Sequence, residues 1–114
     1  MRINIGGGGL VDDGLRAYIE RRLRFALGRF GPRLERIVLR LADLNGPKGG
    51  EDKRCTVAVR LRPGREVFVT HAHRDVRAAV DMAAERAGSA VAREIARRRN
   101  WRTARARLAP LAAD

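Results

Sequence analysis

The sequence predicts an α+β domain with the element order β-α-β-β-β-α, in which two helices pack on one face of a four-stranded mixed sheet. Apolar residues recur at helical spacing over roughly residues 12–30 and 74–99, and they alternate with a period of two in the stretches between. At 114 residues the chain has room for one modest core and not two.

Met1 to Ile5 sets Ile3 and Ile5 against Arg2 and Asn4 and reads as a short strand. After four consecutive glycines, Asp12 or Asp13 can cap a helix reaching about Phe30. Leu15, Tyr18, Ile19, Leu23, Ala26, Leu27 and Phe30 make its apolar stripe, with Arg16, Glu20, Arg21 and Arg24 away from the centre. Gly31-Pro32 ends the helix, because proline cannot continue the backbone ladder. From Arg33 onward Ile37, Leu39 and Leu41 point one way and Arg36, Val38 and Arg40 the other. Cys55, Val57, Val59 and Leu61 repeat the pattern, with Arg54, Thr56, Ala58 and Arg60 opposite. "RPGR" at residues 62–65 is a tight turn, Gly64 taking the position that needs a positive φ, and Glu66 to about Ala72 is the last strand.

Arg74 to Arg99 reads as a long helix with Asp75 in its first turn. Val76, Ala79, Val80, Ala83, Ala87, Ala90, Val91 and Ile95 line one face, small enough for close approach to a sheet, and Gly88 reads as a tolerated interruption. The periodicity fades beyond Asn100, so residues 1–99 are expected to be the folded domain and 100–114 a flexible basic tail. A right-handed first crossover places both helices over the same sheet face. The other face, with Arg36, Arg40, Arg54, Thr56 and Arg60, should be wet and positive.

Several motifs fail on inspection. "INIGGGGLVDDGLRAYI" sets glycines between a strand and a helix but lacks the spacing and the further parallel strands of a dinucleotide fold, which leaves a flexible connection. "LADLNGPKGGEDKRC" looks like a phosphate loop, yet Gly50 is followed by Glu51-Asp52 rather than Lys-Ser/Thr, and the chain returns to a strand. Its Lys48 tip and its Lys53 and Arg54 root leave two readings open, a loop that touches RNA and a plain hairpin connection. His71 and His73 share a strand face without a third metal ligand in a forced position, and Cys55 reads as a small buried hydrophobe. Nothing assembles a nucleophile, base and orienter, so neither catalysis, a cofactor, a metal nor a small-molecule substrate is expected. No apolar run approaches ~20 residues, so no membrane span is expected. The start has no apolar h-region, and a lone cysteine suits a reducing cytosol.

The charge is more informative. The net charge is +12, and all 25 basic residues except Lys48 and Lys53 are arginine. High genomic GC content can explain arginine over lysine but not the excess of positive over negative. Such a field makes nucleic acid the first partner class to test. Arg86, Arg93 and Arg97 fall on one flank of the last helix, a ladder roughly 16 Å long. Arg97, Arg98, Arg99, Arg102, Arg105 and Arg107 form an acid-free run, while Arg21, Arg22, Arg24 and Arg29 crowd the later part of the first helix. These positions suit phosphate contacts rather than base reading. Aromatic residues follow no alternating strand pattern of the kind that stacks single strands, which leaves Trp101 as the plausible stacking residue.

With its elements in this order, the chain resembles the ribosome hibernation-promoting factor and ribosome-associated inhibitor A family, also called the sigma-54 modulation family. The resemblance covers about residues 1–99 and is carried by "DDGLRAYIERRLRFALGRF", "RIVLRLADLNGPKGGEDKRCTVAVRL" and "HRDVRAAVDMAAERAGSAVAREI", within which Asp75, Ala78, Ala79, Val80 and Asp81 look like the helix-opening motif. It implies packing similar to a double-stranded RNA-binding domain and a cytoplasmic, ribosome-associated protein. Such a protein would bind rRNA in the mRNA and tRNA channel of the small ribosomal subunit and silence translation in stationary phase without catalysis. Arg21, Arg22, Arg24, Arg29, Arg86, Arg93 and Arg97 would be anchors. Arg77 departs from the pattern, standing where an aromatic is common, and no dedicated C-terminal dimerisation domain is expected. The alternative reading is a general double-stranded or structured RNA-binding module, or an RNA chaperone, acting off the ribosome.

Overall fold

The computed structural model describes residues 1–44 and 53–113, with side chains through Arg105. Lys48 and the rest of the loop expected to touch RNA lie outside the described residues. The elements follow the expected order: β1 (Arg2–Gly6), α1 (Asp13–Leu27), β2 (Leu34–Asp43), β3 (Lys53–Leu61), β4 (Arg65–His73) and α2 (Val76–Ala113). The sheet order is β1-β2-β3-β4, with β1 parallel to β2 and the other pairs antiparallel.

One sheet face carries the core. Ile37, Leu39 and Leu41 of β2 and Cys55, Val57, Val59 and Leu61 of β3 are buried against Leu15, Ile19, Leu23 and Leu27 of α1 and Ala79, Val80, Ala83, Ala84, Ala87 and Val91 of α2. Burial alone pushes the Cys55 thiol up to about 12, so it packs as an inert apolar side chain.

The first connection is built rather than loose. Gly8–Leu10 makes a single tight turn, and a Cβ on Gly7 would stand 2.8 Å from Val11 Cγ2 and 3.1 Å from Leu41 Cβ. Among the carboxylates at the helix start, Asp12 is the cap, its Oδ1 accepting the Leu15 N–H at 2.7 Å. α1 stops at Leu27, short of the expected Phe30, and Gly28–Arg33 closes into a tighter helical turn. Gly28 weakens the helix there, and Pro32 disfavours helical backbone at Gly31. Arg29 and Phe30 therefore sit on this turn and not on the helix.

Asp75 lies just outside α2 and caps it, accepting the Arg77 N–H at 3.1 Å, while its own N–H donates to His73 Nδ1 at 2.9 Å. At the β3–β4 turn the Gly64 N–H donates to the Leu61 carbonyl, and Gly64 has φ +113°. α2 does not fade at Asn100 but stays helical to Ala113. Alanine, leucine and arginine keep the helical preference there, while the apolar period vanishes because no sheet remains to cover. The helix projects past the sheet and stretches the molecule to 67 × 25 × 18 Å.

Gly88 is more than a tolerated interruption. It is buried where α2 crosses α1, and an added Cβ would stand 3.0 Å from the Ala26 carbonyl oxygen, part of a helical backbone with little room to move. In an unconstrained helix Gly→Ala gains about 1 kcal/mol. Gly88→Ala should show no such gain, and Gly88→Val should lose about 1–3 kcal/mol through overpacking. Urea unfolding of both variants checks this, and a full gain for Gly88→Ala would contradict it.

Candidate nucleic-acid interface

Around the helices the basic residues line three surfaces, two beside the helices and one at the end of the sheet. Between α1 and α2, Arg22, Phe25, Ala26, Arg29, Glu85, Gly88 and Ser89 line a groove of about 440 Å³. Phe25 is 81% exposed, with the Arg22 guanidinium 5.7 Å from its ring centre, and Arg29 lies 4.7 Å over Phe30. Arg21 and Arg24 stand exposed on the outer side of α1.

Along the flank of α2 that faces β4, Arg86 and Arg93 share a cleft with Val69, Thr70, Met82, Glu85 and Ser89. Arg93 and Arg97 share the next, with Glu66 and Glu94. The expected ladder Arg86, Arg93 and Arg97 is thus brought together along one edge. Arg86 Nη1 reaches toward the Thr70 carbonyl at 3.5 Å, a long contact that leaves the head available.

The third surface joins residues far apart in sequence. Arg33 follows α1, Arg62 begins the β3–β4 turn, and Arg98, Arg99 and Arg102 come from α2; with Ile95 and Thr103 they line a cleft of about 360 Å³ without a carboxylate in its wall. Arg98 was expected here from the acid-free run. Arg33 and Arg62 escape a sequence reading, because the Arg62 N–H to Arg33 carbonyl bond of 2.9 Å that joins them exists only after the sheet forms.

Ion pairs divide the arginines. Arg22 Nε lies 2.9 Å from Asp81 Oδ1, a charge contact without good hydrogen-bond alignment, and Lys53 Nζ is 3.4 Å from Asp43. Glu94 is the buried charged residue of the described core, 6% exposed, and it contacts Arg65 at 3.5 Å and Arg97 more closely. The sequence carried a signal for it, since Ala87, Val91 and Glu94 step down one helix face. Among the described residues no carboxylate pairs with Arg21, Arg24, Arg29, Arg54, Arg86, Arg93 or Arg98. Their charge is not offset by a carboxylate among the described residues. Arg54, expected at the loop root, projects from the uncovered sheet face opposite Ala42 and Ala72.

A polar cluster pins the two helices. Tyr18 donates its hydroxyl to Asp81 Oδ1, Arg22 contacts the same oxygen, and the Arg77 guanidinium lies 4.5 Å over the Tyr18 ring. Arg77 thus has a packing role of its own. Among the described residues no three His, Cys, Asp or Glu side chains are grouped to hold a metal, and no helix is long and apolar enough to cross a membrane.

Fold and charge together define a small α+β domain with a polyanion-attracting surface. The family model described as sigma 54 modulation protein / S30EA ribosomal protein matches residues 4–99. The chain belongs to that family. Among solved structures it is similar to the N-terminal domain of Thermus thermophilus Protein Y, with 31% identity, a TM-score of 0.66 and coverage of 82% of this chain and 98% of that one. A ribosomal subunit interface protein from Coxiella burnetii shares the fold at 22% identity and a TM-score of 0.64, covering 84% of this chain and 99% of that one. Among curated proteins none matches the chain.

The Tyr18 phenol is raised above its ordinary 10.0, chiefly by its hydrogen bond to Asp81, then by burial and by the Asp81 charge. A group raised on folding contributes stability that is fully present below its unfolded pKa and lost as pH climbs through the folded one. Tyr18 is the chain's single tyrosine, so its ultraviolet titration is unambiguous. The midpoint should lie above 10.0 in the native protein and fall in Asp81→Asn, while Tyr18→Phe should flatten the alkaline loss of stability. A midpoint unmoved by Asp81→Asn would contradict the contact.

Proposed function

We propose that the protein is a non-catalytic, ribosome-associated factor that binds small-subunit rRNA in the mRNA and tRNA channel and silences translation in stationary phase. The observation that carries this reading is the family match over residues 4–99, together with the similarity to a Protein Y domain. The site supports it physically. Basic clefts flank α2 on both sides and meet the arginine cluster near Arg98, so one rigid domain offers phosphate contacts in several directions. A plug of this kind acts by occupying space, and arginine–phosphate contacts hold it there. Its helix-covered sheet we read as packing similar to that of a double-stranded RNA-binding domain. The anchors are Arg21, Arg24, Arg29, Arg86, Arg93 and Arg98, with Arg22 and Arg97 beside them, Lys53 and Arg54 at the start of β3 and Lys48 in the sequence that precedes it.

Purified ribosomes should carry the protein through a sucrose cushion at ~0.1 M salt, with log affinity falling linearly in log salt as counterions are released. Translation in a cell-free extract should fall in proportion to occupancy. Arg86→Gln with Arg93→Gln should lower the salt slope by about two and leave the melting temperature unchanged. Retention at the top of the gradient with ribosomes intact would contradict the reading. Equal affinity for a generic RNA duplex would favour a free RNA-binding module instead.

A further inference from the structure

The face of the sheet that the helices leave open holds a surface that the family match does not explain. The strand register orders it into rows. Arg2, Arg36, Arg60 and Glu66 lie side by side across the four strands; Asn4, Val38, Ala58 and Phe68 form the next row; Gly6, Arg40, Thr56 and Thr70 the third; and Ala42, Arg54 and Ala72 the fourth. Arg2, Arg36, Arg40, Arg54 and Arg60 are all exposed. Phe68 is 66% exposed, while its row neighbours Val38 and Ala58 are half-buried, so the ring stands above a low floor of small side chains. The Thr56 and Thr70 hydroxyls lie 3.4 Å apart on the same face and add hydrogen-bonding groups beside it.

We propose that this open face binds single-stranded RNA, an unpaired base stacking on Phe68 while Arg36, Arg40 and Arg54 take the neighbouring phosphates. An aromatic ring lifted off a flat sheet gives any base a π-face to lie on, and flanking cations then track the backbone. Arg60, diagonal to Phe68 at about 7–8 Å between backbones, is turned toward Glu35 at 3.6 Å and contributes less. The charge argues for a polyanion over a second copy of this chain, because two such faces would oppose arginine to arginine with only Glu35 and Glu66 to offset them. The exposed ring argues for a single strand over a duplex, whose bases are already stacked. The sequence reading left Trp101 as the plausible stacking residue; the structure adds an exposed ring on the sheet, Phe68. Phe68 lies between inward-facing Val67 and Val69, so alternation along β4 was the signal for it. The proposal does not rest on ribosome binding, since it concerns the face opposite the helices, and Arg54 is the residue the two readings share.

The full chain is titrated at ~0.1 M salt with a single-stranded uridine oligomer, an adenosine oligomer and an RNA duplex of equal length. Phe68→Ala should weaken binding of the single strands roughly fivefold or more, leave duplex binding unchanged and leave the melting temperature unchanged. Phe68→Trp in a Trp101→Phe background should retain affinity, and its fluorescence should be quenched as single strands bind. Arg40→Gln with Arg54→Gln should lower the salt slope for single strands by about two. Unchanged single-strand affinity in Phe68→Ala overturns the proposal, whether or not ribosomes bind the protein. A dimer in sedimentation velocity that Phe68→Ala dissolves also overturns it, because the face would then serve self-association.

Discussion

The structure depends on the burial of one sheet face by two helices that must fit side by side. β2 and β3 send their leucines, Ile37, Val57, Val59 and Cys55 to that face alone, so both helices have to share it. Their fit depends on the point where the α2 backbone at Gly88 meets the Ala26 carbonyl. The Tyr18–Asp81 contact with Arg22 fastens the same helix pair. Dispersion and apolar burial supply the energy, and the contact at Gly88 decides how close the two layers come. The helix-opening motif follows from these demands: Asp75 caps α2, Ala79 and Val80 pack, and Asp81 reaches α1.

The same constraint sorts the charge. Arginines cannot enter the covered face, so the +12 excess is driven to the helix flanks, the cluster around Arg98 and the open sheet face. Some of it is consumed internally, as Glu94 engages Arg65 and Arg97 and Asp81 engages Arg22. The rest repels itself at modest range, and a polyanion relieves that repulsion while releasing its own counterions. The fold thus makes RNA binding favourable without any single residue being indispensable to it.

Much of the architecture was legible because secondary structure here is a matter of period. Ile37-Leu39-Leu41 and Cys55-Val57-Val59 could only be half-buried strands, and the α1 stripe from Leu15 to Leu27 could only be a helix face. What escaped reading depends on local backbone preference or on proximity. Gly28 ended α1 early through backbone preference that an apolar stripe does not register, and the stretch beyond Asn100 stayed helical with no stripe at all. Glu94 lies on the Ala87–Val91 face of α2, but what holds its charge there shows only once Arg65 of β4 is placed beside it. The meeting of Arg33, Arg62 and Arg102 required the whole sheet. The individual arginines were visible in the sequence, but their division into paired and unpaired was not.

On the proposed function, the domain would sit in the decoding channel, held by its shape and by arginine–phosphate contact. The most direct measurement is a cryo-EM map of the protein bound to ribosomes of its own source. The expected density lies between head and body of the small subunit, with the α2 flank bearing Arg86 and Arg93 against rRNA phosphates. Density on the outer surface of the ribosome, or in the channel with those arginines turned to solvent, would contradict it.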